Sequence, residues 1–167
     1  MRLRPDIRVE HVRCLTPAVL GAHGLRGLLL DLDETLQAAD ASTPSEEVRA
    51  WTDGMRRAGI ALAIVSNGTR ARVAAAREAL DVPALALAGK PRRRAYQRGL
   101  DLLGRDPAEV AMVGDQLFTD VLGAHSAGLG TVLVTPLTKG GLPHTRALRV
   151  LERAVLKGGE HGRPVHR

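Results

Sequence analysis

At 167 residues, 44% of them apolar and 25% charged, the chain has the size of one domain with a proper core. No apolar run approaches the roughly 18–20 residues that cross a bilayer, and the single cysteine, Cys14, excludes an internal disulfide and argues against a thiolate metal cluster. A net charge of +6, from 24 Lys and Arg against 18 Asp and Glu, suits an anionic partner, although most of the arginines read as a solvated surface. With only Trp51, Tyr96 and Phe118 as aromatics, the chain lacks the stacking platforms of single-stranded nucleic-acid binders, so no nucleic-acid partner is expected. The basic start, Met1 to Pro5, has no apolar stretch behind it of the signal-peptide kind, and the expected location is cytoplasmic.

Residues 1–26 read as an N-terminal arm packed on the domain, with Ile7, Val9, Val12 and Leu15 as scattered apolar positions and Thr16-Pro17 opening a short helix to Gly21. The domain itself is expected over 27–157. The apolar run from Gly27 ends abruptly in Asp31-Leu32-Asp33. In an extended strand two such carboxylates point to one side, at the carboxyl end where an open α/β sheet binds ligands. Alone, the pair reads either as a surface turn or as a site holding a cation or a protonated carboxyl.

Thr43-Pro44-Ser45-Glu46 reads as a helix start with Thr43 as N-cap and Glu46 closing a capping box. Val48, Trp51 and Met55 share the face that packs on the sheet, and Gly59 stops the helix. Ile60–Val65 is a continuous apolar run typical of a buried parallel strand, ending in Ser66-Asn67-Gly68, which is either a plain turn or an anion-binding loop before the helix Thr69–Leu80. A third strand is expected over Pro83–Ala88, leading to Gly89-Lys90-Pro91, and Arg92-Arg93-Arg94 then enter a helix to Leu103. Lys90 is an ordinary surface lysine or a charge at the same sheet edge as the aspartates. Val110–Val113 ends in Gly114-Asp115-Gln116-Leu117-Phe118-Thr119-Asp120, and Gly130–Val134 is a fifth strand. Thr145–Leu156 reads as a closing helix and 158–167 as a polar tail whose composition points to disorder.

Strand and helix alternate throughout, which predicts an α/β, doubly wound, Rossmann-like parallel sheet of about five strands with helices on both faces. Each polar strand end is a weak signal alone, but the ordered set is a strong one. Asp31-Leu32-Asp33-Glu34-Thr35, Ser66, Lys90 and Gly114-Asp115 through Asp120 resemble the four motifs of the haloacid dehalogenase (HAD) superfamily of phosphohydrolases over about residues 27–135. Leu3-Arg4-Pro5-Asp6, Ser66-Asn67, Gly89-Lys90-Pro91, Gly114 to Gly123 and Val134-Thr135-Pro136-Leu137 resemble the YqeG family, whose relatives include phosphatidylglycerophosphate phosphatases. Glu34 and Gly68 stand where that pattern leads one to expect Asn.

The resemblance implies a Mg2+-dependent phosphatase. Asp31 is the expected nucleophile and Asp33 the general acid and base. Mg2+ is expected on Asp31, the Asp33 carbonyl and Asp115, with Asp120 behind them. Thr35 is expected to orient Asp33, while Thr35, Ser66, Asn67 and Lys90 contact the phosphate. Only short gaps separate Thr35, Ser66 and Lys90, which leaves no room for a cap domain. An open site suits a lipid headgroup or another bulky phosphorylated partner, contact with an anionic membrane surface, or closure by a second subunit. A soluble sugar phosphate or nucleotide is the alternative substrate, and a phosphate-binding scaffold without turnover is the alternative from another class. Lys90, read as surface-facing, is expected to matter for rate and little for folding.

Overall fold

The computed structural model describes residues 3–138; the closing helix expected at 145–156 and the tail at 158–167 lie outside the described residues. In chain order the elements are β1 (Ile7–Val9), α1 (Pro17–Ala22), β2 (Gly27–Leu30), α2 (Glu46–Arg57), β3 (Ala61–Val65), α3 (Arg70–Leu80), β4 (Ala84–Leu85), α4 (Arg93–Leu103), β5 (Val110–Gly114), α5 (Gly123–Ser126) and β6 (Gly130–Val134). The sheet order is β1-β6-β5-β2-β3-β4 and every pairing is parallel. From β2 the chain moves outward through β3 and β4, then returns to β2's other side with β5. The order therefore reverses between β2 and β5, the place where open α/β sheets bind ligands. Among the described residues no cap domain is inserted, and no helix is long and apolar enough to cross a membrane.

The central strands are apolar at every position because both sheet faces are covered. Leu28 and Leu30 of β2, Ile64 of β3 and Val113 of β5 face a core shared with Val48, Met55, Val73 and Leu80 of α2 and α3. Leu29, Val65 and Met112 face the opposite core with Tyr96 and Leu100 of α4. Gly99 lets α4 lie close on this second face, since a Cβ there would stand 2.8 Å from Leu29 Cδ1 and 2.9 Å from Val65 Cγ2.

Among the described residues six strands form, not five. The addition is β1, whose three residues alternate half-buried and exposed and so carry too short a pattern to read as a strand. Its seat on β6 is fixed by Asp6: the carboxylate accepts from Thr131 N (3.0 Å) and Thr131 Oγ1 (2.8 Å), lies 3.1 Å from His125 Nε2, and Asp6 N donates to Thr131 Oγ1. Partial burial opposes its ionisation, but the bonds from His125 and Thr131 prevail and hold its carboxyl below the ordinary range. Two expected boundaries also move. The N-cap of α2 is Ser45, not Thr43: Ser45 Oγ accepts from Val48 N, serine caps at least as well as threonine, and Pro44 is buried ahead of the helix. The strand expected over Pro83–Ala88 shortens to Ala84–Leu85, because Leu87 and Gly89 take left-handed φ values of 48° and 82°. The chain there folds over the loop after β3, with Leu87 N donating to Gly68 O and Ala88 N to Ser66 O.

Candidate active site

Asp31, Ser66 and Asp115 each follow the carboxyl end of one of three adjacent strands, β2, β3 and β5, and Lys90 follows β4 on a short loop. Asp31 continues the line of β2, donating from its backbone N to Val113 O at 2.9 Å. Its Oδ1 accepts from Leu32 N at 2.8 Å and lies 2.9 Å from Lys90 Nζ. Asp120 comes from a π-helical stretch, Leu117–Leu122, that directly follows β5. Its Oδ1 lies 2.7 Å from Lys90 Nζ, and its Oδ2 accepts from Gln116 N. A Cβ on Gly114 would collide with the Asp120 side chain, so only glycine lets this carboxylate fold back under the strand end. The hydroxyl of Tyr96 donates to Thr119 O and packs against Gly123, which fixes the same stretch from beneath.

Lys90 is not surface-facing. Its side chain is 2% exposed and lies between two buried carboxylates. Asn67 holds it there: Asn67 Oδ1 accepts from Gly89 N and Lys90 N, and Nδ2 donates to Lys90 O. Burial alone would lower the Lys90 pKa, but the charges of Asp120 and Asp31 outweigh it and hold the ammonium above its ordinary value. Burial pushes the Asp120 carboxyl up to about 6 against the pull of Lys90.

The carboxylate oxygens of Asp31, Asp115 and Asp120 lie within 4.8 Å of one another, and all three residues are buried. Three like charges so close need more positive charge than one ammonium supplies. Oxygen donors alone fit a hard divalent cation such as Mg2+. Asp31 and Asp115, each just past the end of a central strand, fit that cation, with Asp120 held beside them by Lys90 and Gln116 N.

The other expected residues surround this cluster. Asp33 is 37% exposed in its side chain, and its Oδ1 lies 2.5 Å from Arg72 Nε. Ser66 is buried, with Oγ accepting from Gly68 N at 3.0 Å. Thr35 is buried and its Oγ1 has no hydrogen-bond partner among the described residues, so the expected bond to Asp33 is not seen. The fork of Arg72 also donates from Nη1 to Ala41 O and from Nη2 to Ala38 O, at 2.8 and 2.9 Å.

Glu34 is buried with a left-handed φ of 63°, and it fastens the loop after Asp33. Its Oε1 accepts from Ala39 N, its Oε2 accepts from Thr138 N and Thr138 Oγ1, and its backbone O accepts from Leu137 N. The segment after β6 is thereby tied to the site loop. Glu34→Ala strands these donors and is expected to lower unfolding free energy by about 1–3 kcal/mol in urea titrations; an unchanged midpoint would show that the tie contributes nothing. Sequence reasoning found neither this tie nor Arg72. The one signal for Arg72 was its place in the first turn of the helix after Ser66, shared with Arg70.

Carboxylates and a lysine gathered at the switch point of a parallel sheet suit the binding of a phosphoryl group and a divalent cation. The family model of haloacid dehalogenase-like hydrolases matches residues 8–128. The chain is 34% identical over 152 residues to "Probable phosphatase YqeG" of Bacillus subtilis (strain 168), covering 91% of this chain and 88% of that protein. It is 33% identical over 129 residues to N-acylneuraminate-9-phosphatase of Rattus norvegicus, covering 68% of this chain and 52% of that one. In fold it resembles 3-deoxy-D-manno-octulosonate 8-phosphate phosphatase from Moraxella catarrhalis, with a TM-score of 0.54, 18% identity, and coverage of 86% of this chain and 92% of that one. The chain belongs to the haloacid dehalogenase-like hydrolase family and is a phosphatase of that family.

Proposed function

We propose that this phosphatase is a capless, Mg2+-dependent phosphomonoesterase that works through an aspartyl-phosphate on Asp31. The observation that carries this reading is the buried cluster of Asp31, Asp115, Asp120 and Lys90 at the switch point of the sheet. An Asp31 carboxylate oxygen attacks phosphorus, and the bond from phosphorus to the ester oxygen breaks. Protonated Asp33 gives its proton to the departing oxygen. Asp33, now a carboxylate, takes a proton from water; that water attacks phosphorus, the bond to Asp31 breaks, and orthophosphate leaves. Ser66 and Lys90 bind the phosphoryl oxygens, and Asn67 fixes Lys90 for that task. Mg2+, held by Asp31, the Asp33 carbonyl and Asp115, would neutralise charge on the phosphoryl group. The Moraxella phosphatase was crystallised with a magnesium and a phosphate ion, which supports that choice of metal.

For the substrate, the YqeG-like strings favour a phosphatidylglycerophosphate-like lipid. Leu87 and Leu137, 55% and 37% exposed, are apolar side chains on chain whose backbone bonds to Gly68 and to Glu34, which supports an apolar contact near the site. The N-acylneuraminate-9-phosphatase among the relatives supports the second reading, a soluble sugar phosphate. The test is hydrolysis of p-nitrophenyl phosphate: activity with Mg2+, loss in EDTA and recovery on adding Mg2+ are expected, while full activity in EDTA would overturn the metal-dependent site. Phosphatidylglycerophosphate in anionic vesicles should then be turned over faster than sugar phosphates; the reverse order would decide for the soluble substrate.

A further inference from the structure

Arg72 belongs to no motif of the constellation, yet it makes the short contact to Asp33. Its Nε lies 2.5 Å from Asp33 Oδ1, while Nη1 and Nη2 are anchored on Ala41 O and Ala38 O. The backbone of Arg72 is held in the first turn of α3, where Thr69 Oγ1 accepts from Arg72 N. The base of this clamp is thus a helix on the sheet, and its jaw is one oxygen of a half-exposed carboxylate. The second oxygen, Oδ2, borders Gly68: a Cβ there would stand 3.5 Å from Asp33 Oδ2 and 3.1 Å from Ser66 Oγ. Oδ2 and the Ser66 hydroxyl thus flank the same glycine, beside the place where the phosphate ester is expected.

We infer that Arg72 is a positioning residue for proton transfer, holding Asp33 by Oδ1 so that Oδ2 serves the departing oxygen and then the attacking water. An aspartate on a loop, free to turn about two side-chain torsions, spends little time in the one orientation that reaches the ester oxygen. A rigid fork with three fixed acceptors removes that freedom, and a lysine ammonium cannot reproduce the fork. The inference rests on the proposed role of Asp33 and fails separately from it.

The experiment compares kcat/KM of wild type, R72Q, R72K, D33N and the double variant D33N/R72Q. The substrates are glycerol phosphate, whose alkoxide needs a proton to leave, and p-nitrophenyl phosphate, whose phenolate does not. Because kcat/KM reports steps up to the first departure, it isolates the proton given to the leaving group. R72Q is expected to lose about 100-fold on glycerol phosphate, the lower range of general acid catalysis, and far less on p-nitrophenyl phosphate. R72K should show the same skew, which covers the case that R72Q does not fold. D33N/R72Q should be no slower than D33N, since the two side chains act as one unit. Equal losses on both substrates in R72K, a rise in KM alone, or a double variant well below D33N would overturn the inference, the KM rise reassigning Arg72 to substrate binding. A wild-type protein that hydrolyses neither ester would instead refute the proposed function, and a D33N without the leaving-group skew would refute the role of Asp33.

Discussion

Lys90→Ala is expected to lose both stability and rate, and the stability loss should grow with pH. The substitution leaves Asp31 and Asp120 buried without the ammonium that lies 2.9 and 2.7 Å from them. Removing one partner of a buried ion pair costs about 3–5 kcal/mol. Asp120 can relieve part of this by taking up a proton. Its folded pKa, about 6, already stands above the ordinary 3.8, chiefly through burial. A carboxyl raised on folding is fully accommodated below about pH 4, and its contribution is lost as pH rises through the folded value. Without Lys90 that value rises further. Urea unfolding near pH 5 should therefore show a smaller deficit than near pH 8. Phosphatase turnover should fall by roughly 100- to 1,000-fold, the usual effect of deleting one preorganised charge stabiliser. Lys90→Arg should rescue poorly, because a planar fork does not fit the space of a compact ammonium. Wild-type stability at both pH values, together with wild-type rate, would mean that the ion pairs do not form in solution.

Asp31→Asn is expected to abolish turnover, by about 10,000-fold or more, because the attacking charge is gone while the shape stays. Its effect on stability should be the opposite of that of Lys90→Ala. Asp31 shares a buried cluster with Asp115 and Asp120, so removing one of three like charges relieves repulsion, while Lys90 keeps Asp120 as partner. The melting temperature should hold or rise, the usual trade of a charged active site against stability. A variant that unfolds more easily and still turns over would assign Asp31 a structural role.

The strand ends were legible because β2, β3 and β5 are covered on both faces, so their apolar runs stop sharply where polar chemistry begins. The same patterning located α3 and α4 and β6 to within a residue. β1 was not legible: three residues at the sheet edge, held largely by Asp6, carry no periodic signal. The burial of Lys90 was hidden for another reason. A lysine after a glycine reads the same whether it points to water or between two carboxylates, and the Asn67 clamp that decides it joins residues 22 and 23 positions apart. Arg72 was masked by composition, as one of 24 Lys and Arg. Glu34 read as a departure from the family pattern, because its left-handed backbone and its bonds to Thr138, 104 positions away, exist only in the folded chain.

The central claim, a covalent phosphoryl transfer to Asp31, is tested most directly by acid-quenching the enzyme during turnover and mapping phosphorylated peptides by mass spectrometry. The account predicts a phosphoryl group on the peptide carrying Asp31, stable in acid, discharged by hydroxylamine and absent from Asp31→Asn. Steady turnover with no phosphorylated enzyme at any quench time, or a phosphoryl group on another residue, would contradict it.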